Sequence, residues 1–151
     1  MKSSISEIAQ NEIIRALSSE SQAIAIYSAE LAVLKFLGRS TEPYSSILEE
    51  ERGHEGVMLA YLQRMSCAGP NLWSRAMNQV AGTVLGVCLA FLPRKLSDPV
   101  HVWAEEQAAQ IYLQCVKAIR PLREHLPQGA AFELELLHAA DQERGHARLF
   151  A

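Results

Sequence analysis

The sequence predicts an all-α protein, and three observations lead to that prediction. Glycine and proline are concentrated in four short segments, at residues 38–43, 69–70, 93–99 and 121–129. The stretches between these segments are rich in Ala, Leu, Glu, Gln and Met, which favour helix formation. No stretch alternates apolar and polar residues with an enrichment of β-branched side chains, so we expect no strands.

Four or five helices follow from these breaks, because each stretch between two breaks has helical composition throughout. We expect the helices at residues 6–37, 43–67, 71–92, 97–120 and 128–150. A chain of 151 residues is long enough for one domain with a substantial core and has little room for a second. We therefore expect residues 1–151 to form a single domain.

Composition and charge exclude several classes of protein. The 14 basic and 17 acidic residues are interspersed, so there is no basic face for nucleic acid. A hydrophobic fraction of 49% argues against a disordered chain. The three cysteines are odd in number and form no Cys-x-x-Cys pair, which favours a reducing cytosol. The first residues lead directly into polar helical sequence, so we expect neither a signal peptide nor a transit peptide.

The third predicted helix differs from the others because residues 76–93 contain no charged side chain. These residues would span about 27 Å as a helix, slightly less than a hydrocarbon core. Gly82 and Gly86 form a Gly-x-x-x-Gly pair, which lets a neighbouring backbone approach closely. Three alternatives remain open: a helix buried in the bundle, a helix at a membrane surface or substrate pocket, and, least favoured, a membrane span.

Two sequence elements occur twice, in the same order. Glu-x-x-Ala-x-x-Ile-Tyr is found at residues 20–27 and again at residues 105–112. The tetrapeptide Glu-Arg-Gly-His is found at residues 51–54 and again at residues 143–146. Either element alone would be a weak signal, but the ordered duplication is a strong one.

The spacing of the duplicated elements is typical of a metal centre. Residues three apart share one helix face, so the Glu and the His of Glu-x-x-His can contact the same ion. Four carboxylates and two imidazoles form a mixed oxygen and nitrogen ligand set that suits two iron or manganese ions. One Glu on each of two helices, with Glu-x-x-His on each of two others, is the pattern of ferritin-like four-helix bundles. The predicted metal ligands are Glu20, Glu51, His54, Glu105, Glu143 and His146.

Within this set we expect Glu20, Glu51 and His54 to hold one ion and the other three residues the second, with Glu51 and Glu143 as bridges. A competing Glu-x-x-His lies at residues 135–138, but it lacks the repeated tetrapeptide. Glu20 lies farther from the turn at residues 38–43 than Glu51 does. Placing the two at one level would require the first helix to end near Leu34.

Four further residues lie beside the predicted ligands. Tyr27 and Tyr112 each follow a predicted ligand by seven residues, which places them on the same helix face. They are candidates for hydrogen bonding to the ligands or for redox activity, although a buried tyrosine with a satisfied hydroxyl is the commoner case. Gly53 and Gly145 precede the two histidines, and we expect them to permit close helix approach.

These motifs resemble those of the di-iron demethoxyubiquinone hydroxylases of ubiquinone biosynthesis. The resemblance extends from about Asn11 to His146 and includes the apolar third helix. This helix separates the family from ferritins and rubrerythrins, whose corresponding segments are less apolar. It implies two iron ions, dioxygen activation, hydroxylation of a lipophilic quinol and docking on the inner membrane face from the cytoplasm. The family's Asp-His-Ala-Gly stretch is replaced here by residues 16–19, so a related lipophilic or aromatic substrate is an alternative.

Electron donor and partners are expected on the same basis. NADH or a reductase would supply electrons, although no Gly-x-Gly-x-x-Gly motif is present. A membrane surface would be contacted through residues 76–93, and a homodimer or an accessory lipid-binding partner could also cover this apolar surface. Two rival functions use the same sequence features: a ferritin- or rubrerythrin-like ferroxidase or peroxidase, and a metal-free helical adaptor.

Overall fold

The computed structural model describes residues 2–151, with side chains from Glu7 onward. It contains five α-helices, followed here in chain order: α1 (Lys2–Phe36), α2 (Tyr44–Arg64), α3 (Leu72–Phe91), α4 (Arg94–Ile119) and α5 (Gly129–Phe150). A short 3₁₀ turn at Arg120–Leu122 follows α4. Residues 2–151 contain no strand, so the all-α prediction is confirmed.

Helix boundaries depart from the prediction by three or four residues at three places, and the first is the start of α1, at Lys2 rather than at residue 6. The fourth helix begins at Arg94 rather than at residue 97, and Pro99 lies inside it. Pro99 falls in the second turn, where its missing N–H removes one helical hydrogen bond without ending the helix. The second helix ends at Arg64 rather than at residue 67, because Ser66 adopts a left-handed conformation with φ of 54°.

The apolar core forms two clusters that are separated along every helix that contributes to both. The first cluster contains Ile13 and Leu17 of α1, and the second contains Tyr27 and Leu34 of the same helix. In α2 the order is reversed, with Ile47 in the second cluster and later residues in the first. A layer of polar side chains lies between the two clusters, and its position on each helix is that of the duplicated motifs.

Helix α3 packs against α1 along a face of small residues. A methyl group at Gly86 would overlap the backbone carbonyl of Ile26, and one at Gly82 would lie 2.7 Å from the carbonyl oxygen of Gln22. The two glycines therefore allow the backbones of α1 and α3 to touch, as the Gly-x-x-x-Gly pair predicts.

Much of the remaining surface of α3 is exposed and apolar. Its buried residues are Gly82, Gly86, Leu89 and Ala90. Large side chains on its other faces are exposed: Leu72, Trp73, Met77, Val80, Val84 and Phe91. The alternative of a helix buried within the bundle is therefore wrong, because only one stripe of α3 has a neighbour to pack against. Within the described residues, no helix combines the length and hydropathy needed to cross a membrane.

Candidate metal centre

The six predicted ligands lie together in the polar layer between the two core clusters. Each is less than a tenth exposed. They come from four helices: Glu20 from α1, Glu51 and His54 from α2, Glu105 from α4, and Glu143 and His146 from α5. No carboxylate or imidazole of this set reaches the surface to be satisfied by bulk water, so the layer must satisfy its own polar atoms.

The register of α1 and α2 brings Glu20 and Glu51 together although α1 does not end early. Helix α1 runs sixteen residues beyond Glu20, to Phe36, which is about 24 Å. Glu51 is only seven residues into α2, which is about 10 Å. Residues 37–43 connect the two helices and are long enough to span the difference. We expected that Glu20 and Glu51 could lie at one level only if the first helix ended near Leu34, and this expectation is wrong.

Two overlapping groups of side chains offer ligand atoms within 4.8 Å of one another. One group consists of Glu20, Glu51, His54 and Glu143. The other consists of Glu51, Glu105, Glu143 and His146. Glu51 and Glu143 belong to both groups, which is the position of a carboxylate that bridges two ions. These buried groups could hold metal ions.

Both histidines turn Nδ1 toward the carboxylates. The Nδ1 of His54 lies 3.1 Å from Oε1 of Glu143 and 3.5 Å from Oε2 of Glu20. The Nδ1 of His146 lies 3.3 Å from Oε2 of Glu105 and 3.5 Å from Oε1 of Glu51. Each imidazole therefore turns its Nδ1 atom toward several carboxylate oxygens. The distances of 3.1–3.5 Å leave room for a cation between Nδ1 and these oxygens.

The two tyrosines hydrogen-bond to the terminal carboxylates, each across to the other copy of the motif. The hydroxyl of Tyr112 donates to Oε1 of Glu20 at 2.7 Å, and the hydroxyl of Tyr27 donates to Oε1 of Glu105. Burial raises the pKa of both phenols, and the neighbouring carboxylates raise it further, so both remain protonated donors. Each terminal carboxylate thus has one oxygen held by a tyrosine and one turned toward the centre.

Unsatisfied buried atoms provide the test of whether a cation fits. Among the described residues, eleven buried side-chain nitrogen or oxygen atoms have no hydrogen-bond partner, and seven of them belong to this centre. They are Oε2 of Glu20, both oxygens of Glu51 and Glu143, and Nδ1 of His54 and His146. An unpaired buried polar atom is costly, and all seven atoms are types that ligate iron. The residues therefore fit a pair of divalent cations.

The pKa values of two of the carboxylates are raised, which shows that their negative charges are unfavourable in the centre without a cation. Burial raises the pKa of Glu51 well above its usual value, and the charges of Glu20 and Glu143 raise it further. Burial also raises the pKa of Glu143, to about 7. Burial opposes ionisation of Glu105 too, but the close His146 imidazole, the neighbouring Glu143 and the hydrogen bond from Tyr27 outweigh burial and lower the pKa.

The pKa values of both histidines are raised, so positive charge is favoured in the centre. Burial alone would lower the pKa of His54, but the carboxylates of Glu143 and Glu20 close to its Nδ1 outweigh burial and raise the pKa to about 10. The pKa of His146 is also raised, because the carboxylates of Glu105 and Glu143 close to its Nδ1 outweigh burial. The carboxylates therefore keep both histidines protonated when no metal is present. A metal would have to compete with these protons.

Other residues singled out in the sequence lie outside the centre or have no neighbour there. Glu135 and His138, the competing Glu-x-x-His, are exposed. A methyl group added at Gly53 or Gly145 would meet nothing within 4 Å. The expectation that these two glycines permit close helix approach is therefore wrong.

Two residues that the sequence analysis did not single out contact the histidines from outside. Glu50 lies 3.2 Å from Nε2 of His146, and Gln142 lies 3.1 Å from Nε2 of His54. Each directly precedes a predicted bridging glutamate, so its position in the duplicated motif was the available signal. The signal is weak because one residue is an acid and the other an amide.

A second buried polar cluster lies next to Tyr27. His101 Nε2 is 3.1 Å from Oε2 of Glu30 and 3.3 Å from its Oε1. The imidazole stacks on Tyr27 on one side and on Phe150 on the other, at centroid distances of 5.5 and 4.5 Å. The pair joins α1 to α4, and it was missed because neither residue belongs to a repeated motif.

A cavity of about 250 Å³ adjoins the centre between α1, α3 and α4. Glu20, Glu51, Glu105 and Glu143 line its inner end. Its walls are mainly apolar: Ala23, Ile26, Leu85, Leu89, Ala108 and Ile111. Trp103, which is mostly exposed, also lines it, so the cavity reaches the surface beside the exposed face of α3.

Comparisons of this chain with protein-family models, with curated proteins and with solved structures found no match.

Proposed function

We propose that this chain is a ferritin-like four-helix bundle with an added apolar helix, and that it is a di-iron monooxygenase. Its reaction would be hydroxylation of the aromatic ring of a lipophilic quinol, as in ubiquinone biosynthesis. The observation that carries the proposal is the pair of overlapping Glu and His groups that share Glu51 and Glu143, with seven unsatisfied ligand-type atoms. The motif resemblance to demethoxyubiquinone hydroxylases supports the choice of reaction.

In this proposal Glu20 and His54 serve one iron and Glu105 and His146 serve the other, with Glu51 and Glu143 shared. Bound iron would supply dioxygen activation and redox equivalents. Tyr112 and Tyr27 would hold the two terminal carboxylates in place through their hydrogen bonds. They are candidates for catalytic residues as well, since Tyr27 lines the cavity.

The cavity supports an organic substrate over a metal ion as the molecule that is oxidised. Its volume of about 250 Å³ is just below the range of roughly 300–1,000 Å³ of small-molecule sites, which suits a single ring rather than a ring with its tail. Its apolar walls would exclude water from the reacting ring. A path for ferrous ions in a ferroxidase would instead need polar walls, so this alternative is less well supported.

The exposed face of α3 supports a lipophilic substrate and a membrane surface as partners. Leu72 and Trp73 are 85% and 76% exposed, and Leu85 and Leu89 of the same helix line the cavity. A substrate tail leaving the cavity would meet this apolar face. We propose that the protein acts in the cytoplasm, at the inner membrane surface.

Oxygen incorporation tests the proposed reaction directly. Iron-loaded protein would be supplied with a short-tailed demethoxyubiquinol, ¹⁸O₂ and reducing equivalents from NADH through a reductase. We expect the ring to gain one ¹⁸O atom in the intact chain and in Glu135→Gln, whose side chain is exposed. Glu143→Gln should abolish the gain. Oxidation of Fe²⁺ or consumption of peroxide without ring oxygenation would contradict the proposal and support the ferroxidase or peroxidase alternative.

Sedimentation with lipid vesicles tests the membrane contact separately. We expect the chain to bind phosphatidylglycerol-containing vesicles, and Leu72→Ser to weaken that binding. The matched control is Leu134→Ser, since Leu134 is an exposed leucine on α5. Equal weakening by the two variants would contradict a specific role for the α3 face.

A further inference from the structure

The contacts around the centre repeat the duplication of the sequence, but they cross between the copies. Tyr112 of the second copy holds Glu20 of the first, and Tyr27 of the first holds Glu105 of the second. Glu50, before the first bridging glutamate, contacts His146 of the second copy. Gln142, before the second bridging glutamate, contacts His54 of the first. The centre therefore has an approximate two-fold arrangement.

One related pair breaks this symmetry. The ligands and tyrosines of the two copies are identical in type, whereas Glu50 corresponds to Gln142. His146 therefore faces a carboxylate at 3.2 Å, and His54 faces an amide oxygen at 3.1 Å. The difference is one full negative charge beside one of the two histidines.

The hydrogen bonds fix the direction of both imidazoles. Gln142 Nε2 donates to Oε2 of Glu50 at 2.8 Å, so its amide oxygen must be the atom that faces His54. An amide oxygen and a carboxylate only accept, so both histidines carry their hydrogen on Nε2. A metal that displaces the second proton would therefore bind at Nδ1. The row of contacts from His54 through Gln142 and Glu50 to His146 lies outside the centre.

We infer that Glu50 and Gln142 make the two metal positions unequal, with the position beside His146 and Glu105 binding a divalent cation more tightly. This inference rests on the proposed metal centre and adds the order in which its positions fill. A carboxylate that accepts from a ligating histidine raises its electron donation and adds negative charge near the cation, and an amide does this less well. Glu50 and Gln142 are positioning residues, because they act through the histidines.

The expected size of the difference is modest. Removing a partner that accepts a hydrogen bond from a ligand typically costs 10- to 100-fold in metal affinity. Glu50 is 42% exposed, so water screens its charge and the lower end of that range applies. We expect the two positions to differ by about tenfold in affinity.

Titration of Co²⁺ into the metal-free full-length chain measures both positions, with calorimetry and visible absorption as readouts that do not depend on activity. We expect two binding steps about tenfold apart. In Glu50→Gln the tighter step should weaken until the two steps merge. The matched control is Glu49→Gln, which removes the same charge from the neighbouring exposed residue and should leave both steps unchanged.

The exchange Glu50→Gln with Gln142→Glu keeps the acid and amide side by side but reverses their order. We expect it to restore two separate steps, with the tighter one now beside His54. Adding His54→Gln to each background identifies the remaining position, which should be the tight one in the natural background and the weak one in the exchanged background. Two equal steps in the intact chain, or unchanged steps in Glu50→Gln, would overturn this inference alone. No Co²⁺ binding at all would overturn the proposed metal centre and this inference with it.

Discussion

The pair Glu30–His101 and the centre around Glu51 and Glu143 are both buried and polar, and they differ in how they are satisfied. Glu30 and His101 are one acid and one base joined by a hydrogen bond between Oε1 of Glu30 and Nε2 of His101, and one atom of the pair, Oε2 of Glu30, lacks a partner. The centre has four carboxylates and two histidines, and seven of its atoms lack a partner. The pair can exist without any ligand, whereas the centre is left with surplus negative charge.

This difference separates a buried ion pair that joins helices from a cluster that could hold cations. A buried pair contributes little net stability, but removing one member leaves an uncompensated group. A cluster with excess acid is destabilising by itself, and binding of cations offsets that cost. Substitutions in the centre should therefore lower metal content while substitutions in the pair leave it unchanged, and the two should have opposite effects on the stability of the metal-free protein.

The largest expected difference is in metal content. Glu51→Ala should reduce bound metal from two ions per chain to one or none, because Glu51 belongs to both ligand groups. The double variant Glu30→Leu/His101→Phe should keep both ions. Elemental analysis of the purified variants measures this, and an unchanged metal content in Glu51→Ala would contradict the proposed ligand set.

The next largest effect is on the stability of the pair. Glu30→Leu alone should lower the free energy of unfolding by about 3–5 kcal/mol, because it leaves His101 buried without its partner. Adding His101→Phe should recover most of that loss, since the ring still stacks between Tyr27 and Phe150. Urea denaturation of the metal-free variants gives both values. Equal losses in the single and double variants would show that the two residues do not act as a pair.

In the centre, removing one carboxylate charge should raise the free energy of unfolding of the metal-free protein instead of lowering it. Metal-free Glu51→Gln should be more stable than the metal-free natural chain by about 1–3 kcal/mol, because the amide carries no charge and replaces one unsatisfied oxygen with an NH2 group that can donate to the neighbouring carboxylates. With free metal at about 1,000 times its dissociation constant the natural chain gains about 4.1 kcal/mol for one bound ion, which exceeds that advantage and reverses the order. Thermal unfolding with and without metal tests this, and a metal-free variant less stable than the natural chain would contradict it.

The pH dependence should also have opposite signs with and without metal. The raised pKa values of Glu143, about 7, and His54, about 10, stabilise the metal-free fold at low pH. That stability falls as pH rises from about 4.5 through 7 for Glu143 and from about 6.5 through 10 for His54. Metal must displace these protons, so its affinity should rise about tenfold per pH unit for each proton released. Metal titrations between pH 5 and 8 measure this, and an affinity independent of pH would contradict it.

The smallest effect concerns the glycines beside the ligands. Gly53→Ala should leave metal content unchanged and raise stability by up to about 1 kcal/mol, because the new methyl group meets nothing. Gly86→Ala should lower stability by about 1–3 kcal/mol, because its methyl group overlaps the backbone of α1. Thermal unfolding of both variants separates the two cases. Destabilisation by Gly53→Ala would show that this helix face is packed after all.

The sequence predicts the helices and the buried ligands for different reasons. Helices follow from local composition and breakers, and the six candidate ligands follow from a repeated spacing that matches the helical period. The register of α1 on α2 does not follow, because it depends on the path of residues 37–43. The pair Glu30–His101 does not follow either, since Glu30 and His101 are distant in sequence and carry no motif. The exposure of α3 does not follow either, because it depends on how many other helices pack against α3. An apolar sequence pattern does not specify that number.

Iron content per chain tests the central proposal most directly. The full-length chain would be produced with iron, purified without chelator and measured by elemental analysis together with its ultraviolet and visible spectrum. We expect close to two irons per chain in the natural protein and in Glu135→Gln, and one or none in Glu51→Ala. A natural chain that holds no metal, or a single weakly bound zinc, would contradict the di-iron centre.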